Sequence, residues 1–153
     1  MDEVVVVRPG EFTIKRGATR AEMEKLLLKA AREAAEECGG AKFEKEPGRI
    51  YARGDTQCLK KALARVFGVK SVSPAYVMKF EGVADIAREA ARLWGGLAAG
   101  RRFAVRVHRV GNHPFTSRDV AAAVGSALVA AGGRVYLENP EVEFFVEVRG
   151  DRA

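Results

Sequence analysis

Lys42-Phe43-Glu44-Lys45-Glu46-Pro47-Gly48-Arg49-Ile50-Tyr51-Ala52-Arg53 is the centrepiece of the first half of the chain. Lys42 to Glu46 and Arg49 to Arg53 flank Pro47-Gly48, a turn dipeptide, and together read as a β-hairpin. On the N-terminal side, Met23, Leu26, Leu27, Ala30, Ala31, Ala34 and Cys38 recur at helical spacing until Gly39-Gly40 stops them. Thr19-Arg20-Ala21-Glu22 has the capping-box form expected where that helix begins, and Val4 to Val7 before it reads as a buried strand. On the C-terminal side, Asp55 or Thr56 caps a second helix with Leu59, Ala62, Leu63, Val66 and Phe67 on its apolar face, ending at Gly68. A strand within Val72 to Phe80 follows. Strand, helix, hairpin, helix, strand is the split βαβ order of a ferredoxin-like α+β fold, expected over residues 1–80.

Residues 81–153 read as a second domain. A helix from Val83 to about Leu97 carries Ile86, Ala87, Ala90, Leu93 and Trp94 toward a core and ends near Gly95-Gly96 or Gly100. In Phe103-Ala104-Val105-Arg106-Val107-His108-Arg109, alternation places Phe103, Val105 and Val107 on one face and sends Arg106 and His108 to the other. Thr116 or Ser117 caps a helix through Ala131, in which Gly125 marks an expected close approach of backbone. Strands around Val135 to Leu137 and from Val142 to Val148 complete the block. Gly150-Asp151 resembles the start of a turn with no returning strand after it, which suggests that the protein or a partner continues from there.

Charge narrows the function. The 153 residues carry 26 Lys+Arg against 20 Asp+Glu, and arginines outnumber lysines by 17 to 9, a composition suited to an anionic partner. From Arg101 to Arg118 there are five arginines, two histidines and no acid, whereas Glu138 to Glu147 holds four acids and no base. One positive and one negative surface are therefore expected. The longest uncharged run, Val120 to Gly133, falls short of the roughly 18 to 20 apolar residues of a membrane span, and no export signal opens the chain. No membrane association and a cytoplasmic location are the expectation.

Catalytic and cofactor motifs are missing. There is no dinucleotide or P-loop glycine pattern and no Ser-Gly-Gly-x-Asp-Ser run for an adenylating pyrophosphate loop, so no cofactor and no catalytic residue is assigned. Two histidines without a neighbouring cysteine or acid cluster fall short of a metal site. Cys38 and Cys58 match no redox or zinc spacing; they read as structural residues, with a stapling bridge as the lesser alternative. The basic constellation is more informative. Arg106, His108, Arg109, Asn112, His113, Ser117 and Arg118 follow a strand edge, a loop and a helix start, a geometry suited to phosphate, and only Asp119 stands near enough in sequence to neutralise them. Lys15, Arg16 and Arg20 form a second basic group.

At these residues a family resemblance enters. Gly10-Glu11-Phe12-Thr13-Ile14-Lys15 with Thr19-Arg20 resembles the opening signature of the tRNA 4-thiouridine synthetases, the thiamine-biosynthesis sulfurtransferase family. Phe103-x-Val105-Arg106-Val107-x-Arg109 followed by Gly111-x-His113-x-Phe115-x-Ser117-x-Asp119-Val120 is similar to the central motif of their THUMP domain, and Leu137-Glu138-Asn139-Pro140-Glu141-Val142 to its Leu-x-Asn-Pro-Asp-Val turn. Phe12 stands where Ile is usual, His108 where Lys often stands, and the adenylating domain is missing. The resemblance implies a ferredoxin-like βαββαβ subdomain followed by a THUMP domain, a mixed sheet with helices. It implies a module that binds the acceptor stem and 3′ end of tRNA for 4-thiouridine formation, with no catalysis expected of this chain alone. An adenylating sulfurtransferase domain, separate or fused C-terminally, is the implied partner. The alternatives are an adaptor for tRNA acetylation or methylation, a small Cys-dependent sulfur-relay enzyme, and a protein-interaction scaffold.

Overall fold

The computed structural model describes residues 2–10, 17–46 and 48–153, by backbone alone for 17–20. Two compact units divide between Val77 and Met78. In the first, β1 (Asp2–Pro9), α1 (Gly17–Ala35), β2 (Ala41–Glu46), β3 (Arg49–Gly54), α2 (Thr56–Ala64) and β4 (Val69–Val77) follow in that order. The strands form an antiparallel sheet with order β2-β3-β1-β4, the ferredoxin-like arrangement. β1 is central, between β3 and β4, and Val4 to Val7 are all buried. An unbroken valine run, without polar alternation, is what a strand buried on both faces requires. Pro74 lies on β4, an edge strand, where its missing N–H costs no ladder bond.

Val5 and Val7 share a core with Leu27, Ala31 and Ala35 of α1, Ile50 and Ala52 of β3, and Leu59 and Leu63 of α2. Asp55 caps α2 by accepting the Cys58 amide at 3.2 Å. Thr19 lies two residues inside α1, which begins at Gly17, so the expected capping box does not mark the helix start. Phe67 is corrected more sharply: it does not join the core face but stands 94% exposed. The reason is that α2 stops at Ala64, and a turn closed by the Val69 amide on the Val66 carbonyl, with Gly68 at φ +92°, swings Phe67 outward.

Cys38, at the end of the 3₁₀ turn after α1, and Cys58, in the first turn of α2, are joined as a disulfide with their Cα atoms 5.6 Å apart. It closes a loop across 20 residues of sequence and ties the two helix ends on one side of the sheet.

The second unit contains α3 (Val83–Ala98), β5 (Arg102–Val110), α4 (Ser117–Ala130), β6 (Arg134–Val135) and β7 (Val142–Arg149). β5 pairs in parallel with β6 on one side and β7 on the other. Antiparallel pairing in this unit is confined to the bridges Lys79–Arg152 and Arg149–Arg152. After Gly150-Asp151 no further strand follows, as expected, although the chain does turn back through those bridges, and Met78 and Ala153 exchange backbone hydrogen bonds at 2.9 Å. Ile86, Ala90, Phe103, Val120, Val124, Leu128, Phe144, Val146 and Val148 form the core, and Trp94 stacks on Phe144 at 4.8 Å. The close approach expected at Gly125 is absent, since an added Cβ there would meet nothing within 4 Å. Gly133 is the tight position: a Cβ would sit 2.7 Å from the buried Phe103 ring.

Cross-linking a loop of this length stabilises mainly by restricting the unfolded chain, by about 3 kcal/mol. Cys38→Ser/Cys58→Ser should accordingly unfold at lower denaturant than the oxidised protein, and reductant should lower the wild-type midpoint to match. Identical midpoints in all three samples would mean that the bond restrains nothing.

Candidate nucleic-acid interface

The period of two along β5 points Phe103, Val105 and Val107 toward α3 and α4 and turns Ala104, Arg106 and His108 to the opposite side of the sheet. The parallel register then fixes their neighbours: Ala104 pairs with Glu143, Arg106 with Phe145 and His108 with Glu147. Arg106 donates from Nε to Glu143 at 3.2 Å and from Nη2 to the Leu137 carbonyl at 2.8 Å. Arg102 donates from Nε to Glu141 at 3.3 Å, and the Glu141 carboxylate also accepts the Arg102 amide. The acidic stretch thus lies along the basic strand. Positive and negative surfaces are not segregated here, and Glu143, thirty-seven residues away in sequence, corrects the expectation that only Asp119 stands near the cluster.

Arg109 lies on the helix side and serves the loop. Its Nη1 donates to the Gly111 carbonyl at 2.6 Å and to His113 Nδ1 at 3.0 Å, while the other His113 nitrogen reaches the Gly150 carbonyl at 2.7 Å. The tautomer with hydrogen on Nε2 satisfies all three contacts. His113 stacks on Phe115 at 4.9 Å, with Phe80 beside both, so the loop after β5 is held by rings as well as hydrogen bonds. Thr116 is the cap of α4, and its capping box with Asp119 occupies the Asp119 and Thr116 amides. The Ser117 and Arg118 amides at the first two helical positions remain outside that box.

The site residues therefore fall into two groups. Arg106, Arg109 and His113 are engaged with the protein itself. His108, Asn112, Ser117 and Arg118 have no side-chain hydrogen bond or ion pair among the described residues, and of these His108, Asn112 and Arg118 are exposed. Lys15 and Arg16 lie outside the described residues, as does the side chain of Arg20. One feature escaped the sequence reading although it was there to find: between Thr56 and Phe80 there are five cations and no acid. Lys60, Lys61 and Lys70 of that stretch have no side-chain partner among the described residues. Both thiols are in the disulfide, so the sulfur-relay alternative has no free cysteine to work with. Among the described residues there is no group of three or more His, Cys, Asp or Glu side chains placed to hold a metal, and no helix long and apolar enough to cross a membrane.

Glu141 titrates below its ordinary value, held there first by the Arg102 amide and then by the Arg102 guanidinium. A carboxyl lowered in this way contributes stability that is present above its unfolded value and lost as pH falls through its folded one. Arg102→Gln removes the guanidinium but keeps the amide, so carbon-detected NMR titration should show the Glu141 midpoint rising only part of the way to normal. A midpoint unmoved by the substitution would show that the side-chain pair contributes nothing in solution.

Comparison with known proteins places both units. The ThiI ferredoxin-like domain model matches residues 4–73 and the THUMP domain model residues 83–153. A tRNA sulfurtransferase of Pyrobaculum aerophilum is 73% identical over 99% of this chain, which spans 31% of that relative's length. The crystal structure of PH1313 from Pyrococcus horikoshii superposes with a TM-score of 0.85 at 29% identity, over 98% of this chain and 52% of that one. A 4-thiouridine synthetase solved with RNA and ATP shares the fold, with a TM-score of 0.73 at 22% identity over 99% of this chain and 40% of its own. The chain is a ThiI ferredoxin-like domain followed by a THUMP domain, and over almost its whole length it is similar to tRNA sulfurtransferases, of which it spans well under half.

Proposed function

We propose that this chain is the tRNA-binding region of a tRNA sulfurtransferase, gripping the acceptor stem and 3′ end while a separate or fused adenylating domain carries out 4-thiouridine formation. The observation that carries the reading is the 73% identity to a tRNA sulfurtransferase across both units. Physical support comes from the site. Arg118, with the Ser117 and Arg118 amides at the positive end of α4, is the phosphate seat, and Asn112 in the preceding loop and His108 on the other face of β5 are assigned as further hydrogen-bonding contacts. Arg106, Arg109 and His113 fix the strand and loop that present those groups. Lys15, Arg16 and Arg20 are assigned to the same task in the first unit. Nothing on this chain is assigned a chemical step; its work is to bind and orient.

The wide, shallow minor groove of A-form RNA offers 2′-hydroxyls and phosphates rather than a full base code, and Arg, His, Asn and Ser side chains read those features. An RNA minihelix comprising an acceptor stem and an unpaired 3′ end should therefore compete with whole tRNA within about tenfold, and the DNA copy far less well. Equal competition by the DNA copy would reduce the chain to a general polyanion binder and overturn the reading.

A further inference from the structure

We propose that Phe67, set among cations on the turn between α2 and β4, is a stacking platform for an unpaired nucleobase of the bound RNA. The inference rests on the RNA-binding reading and adds to it a contact residue and the part of the RNA it meets.

Three observations carry it. The first is exposure: at 94%, Phe67 stands well clear of the next most exposed large apolar residues among the described ones, Leu137 at 63% and Phe145 at 62%. Single exposed apolar side chains are common on protein surfaces, but a benzyl group wetted on nearly all sides is a solvation cost with no return inside this fold. The second is rigidity. Phe67 occupies the second position of a turn closed from Val66 to Val69, and the Gly68 carbonyl accepts the Gly10 amide at 2.8 Å, which anchors the turn to the end of β1. The ring is thus presented on fixed backbone. The turn itself accepts almost any residue at that position, so the geometry does not call for an aromatic one.

The third observation is the company. Lys61 of α2 and Lys70 of β4 are exposed, on either side of the turn in sequence, and neither has a side-chain partner among the described residues. Arg65 meets Glu37 at 2.7 Å, but both are largely exposed, and such surface pairs hold weakly enough for a phosphate to compete. No acid lies anywhere in the sequence from Thr56 to Phe80. Phe145, by contrast, lies on β7 between Glu143 and Glu147, where a polyanion is unwelcome. An exposed ring with cations close by in sequence, Lys61 and Lys70 among them without a side-chain partner among the described residues, is the combination that binds single-stranded nucleic acid, the cations holding backbone and the ring stacking a base of any sequence.

The experiment uses the whole 153-residue chain and two RNA hairpins, one with a short unpaired 3′ tail and one blunt-ended. Because stacking on one aromatic ring is worth about 1–3 kcal/mol by alanine substitution, Phe67→Ala should weaken the tailed RNA roughly fivefold or more and the blunt one less than about twofold. Phe67→Trp should restore the tailed affinity, since any flat ring serves. Thermal unfolding of Phe67→Ala should match wild type, because the ring lies outside the core. If the wild-type chain binds neither RNA, the RNA-binding reading fails and takes the inference with it. If wild type binds both and Phe67→Ala binds both equally well, the function stands and the stacking role is overturned, leaving Phe67 to a protein neighbour. Equal weakening on both RNAs would overturn it too, showing an interaction blind to unpaired bases.

Discussion

The parallel register between β5 and β7 is the constraint on which the second unit depends. Side chains alternate with a period of two, so one pairing decides at once which residues enter the core and which share the opposite face. With Val105 opposite Phe144 and Val107 opposite Val146, the core closes against α3 and α4. The same pairing sets Arg106 one step from Glu143, and Arg102 and Glu141 meet at the strand ends. A slip of one residue would place the glutamates in the core. The strand arginines are thereby bound to the protein, and the site groups without a side-chain partner among the described residues are His108 near the end of β5 and Asn112, Ser117 and Arg118 beyond it.

The first unit solves a different problem. A four-stranded sheet with two helices on one side leaves the ends of those helices to be fixed, and the Cys38–Cys58 bond does so where Asp55 also caps α2. Disulfides are rare in reducing compartments of mesophiles and frequent in intracellular proteins of hyperthermophiles, so the bond does not by itself decide a compartment. Beyond α2, the fold needs only a short turn to reach β4, and it is this structurally undemanding segment that carries an outward aromatic ring among lysines.

Most of the fold was legible in the sequence because its signals were local. The β2–β3 hairpin, the valine run of β1, the Asp55 cap and the Thr116 cap each depend on neighbours within a few residues. Phe67 was misread because helical spacing continues to it, whereas the helix stops three residues earlier and a positive-φ glycine redirects the chain. The pairing of Arg106 with Glu143 was not legible for a different reason: strand register across thirty-seven residues is a tertiary fact. Counting charges along the chain showed a basic and an acidic stretch, but only the sheet shows that they lie side by side. The acid-free stretch from Thr56 to Phe80 needed no structure at all, only the same count applied to the first unit.

The central claim is that, within the second unit, the charge proposed to face RNA lies at the start of α4 and not along β5, because β7 already neutralises the strand. Salt dependence of tRNA binding separates the two directly, since removing a cation that meets one phosphate flattens the slope of log affinity against log salt by about 0.7 to 0.9. Measured on the whole chain, Arg118→Gln should flatten that slope by about this amount, and Arg106→Gln should leave it close to wild type. The reverse result, a flattened slope for Arg106→Gln with Arg118→Gln unchanged, would contradict the account and return the phosphate contacts to the strand.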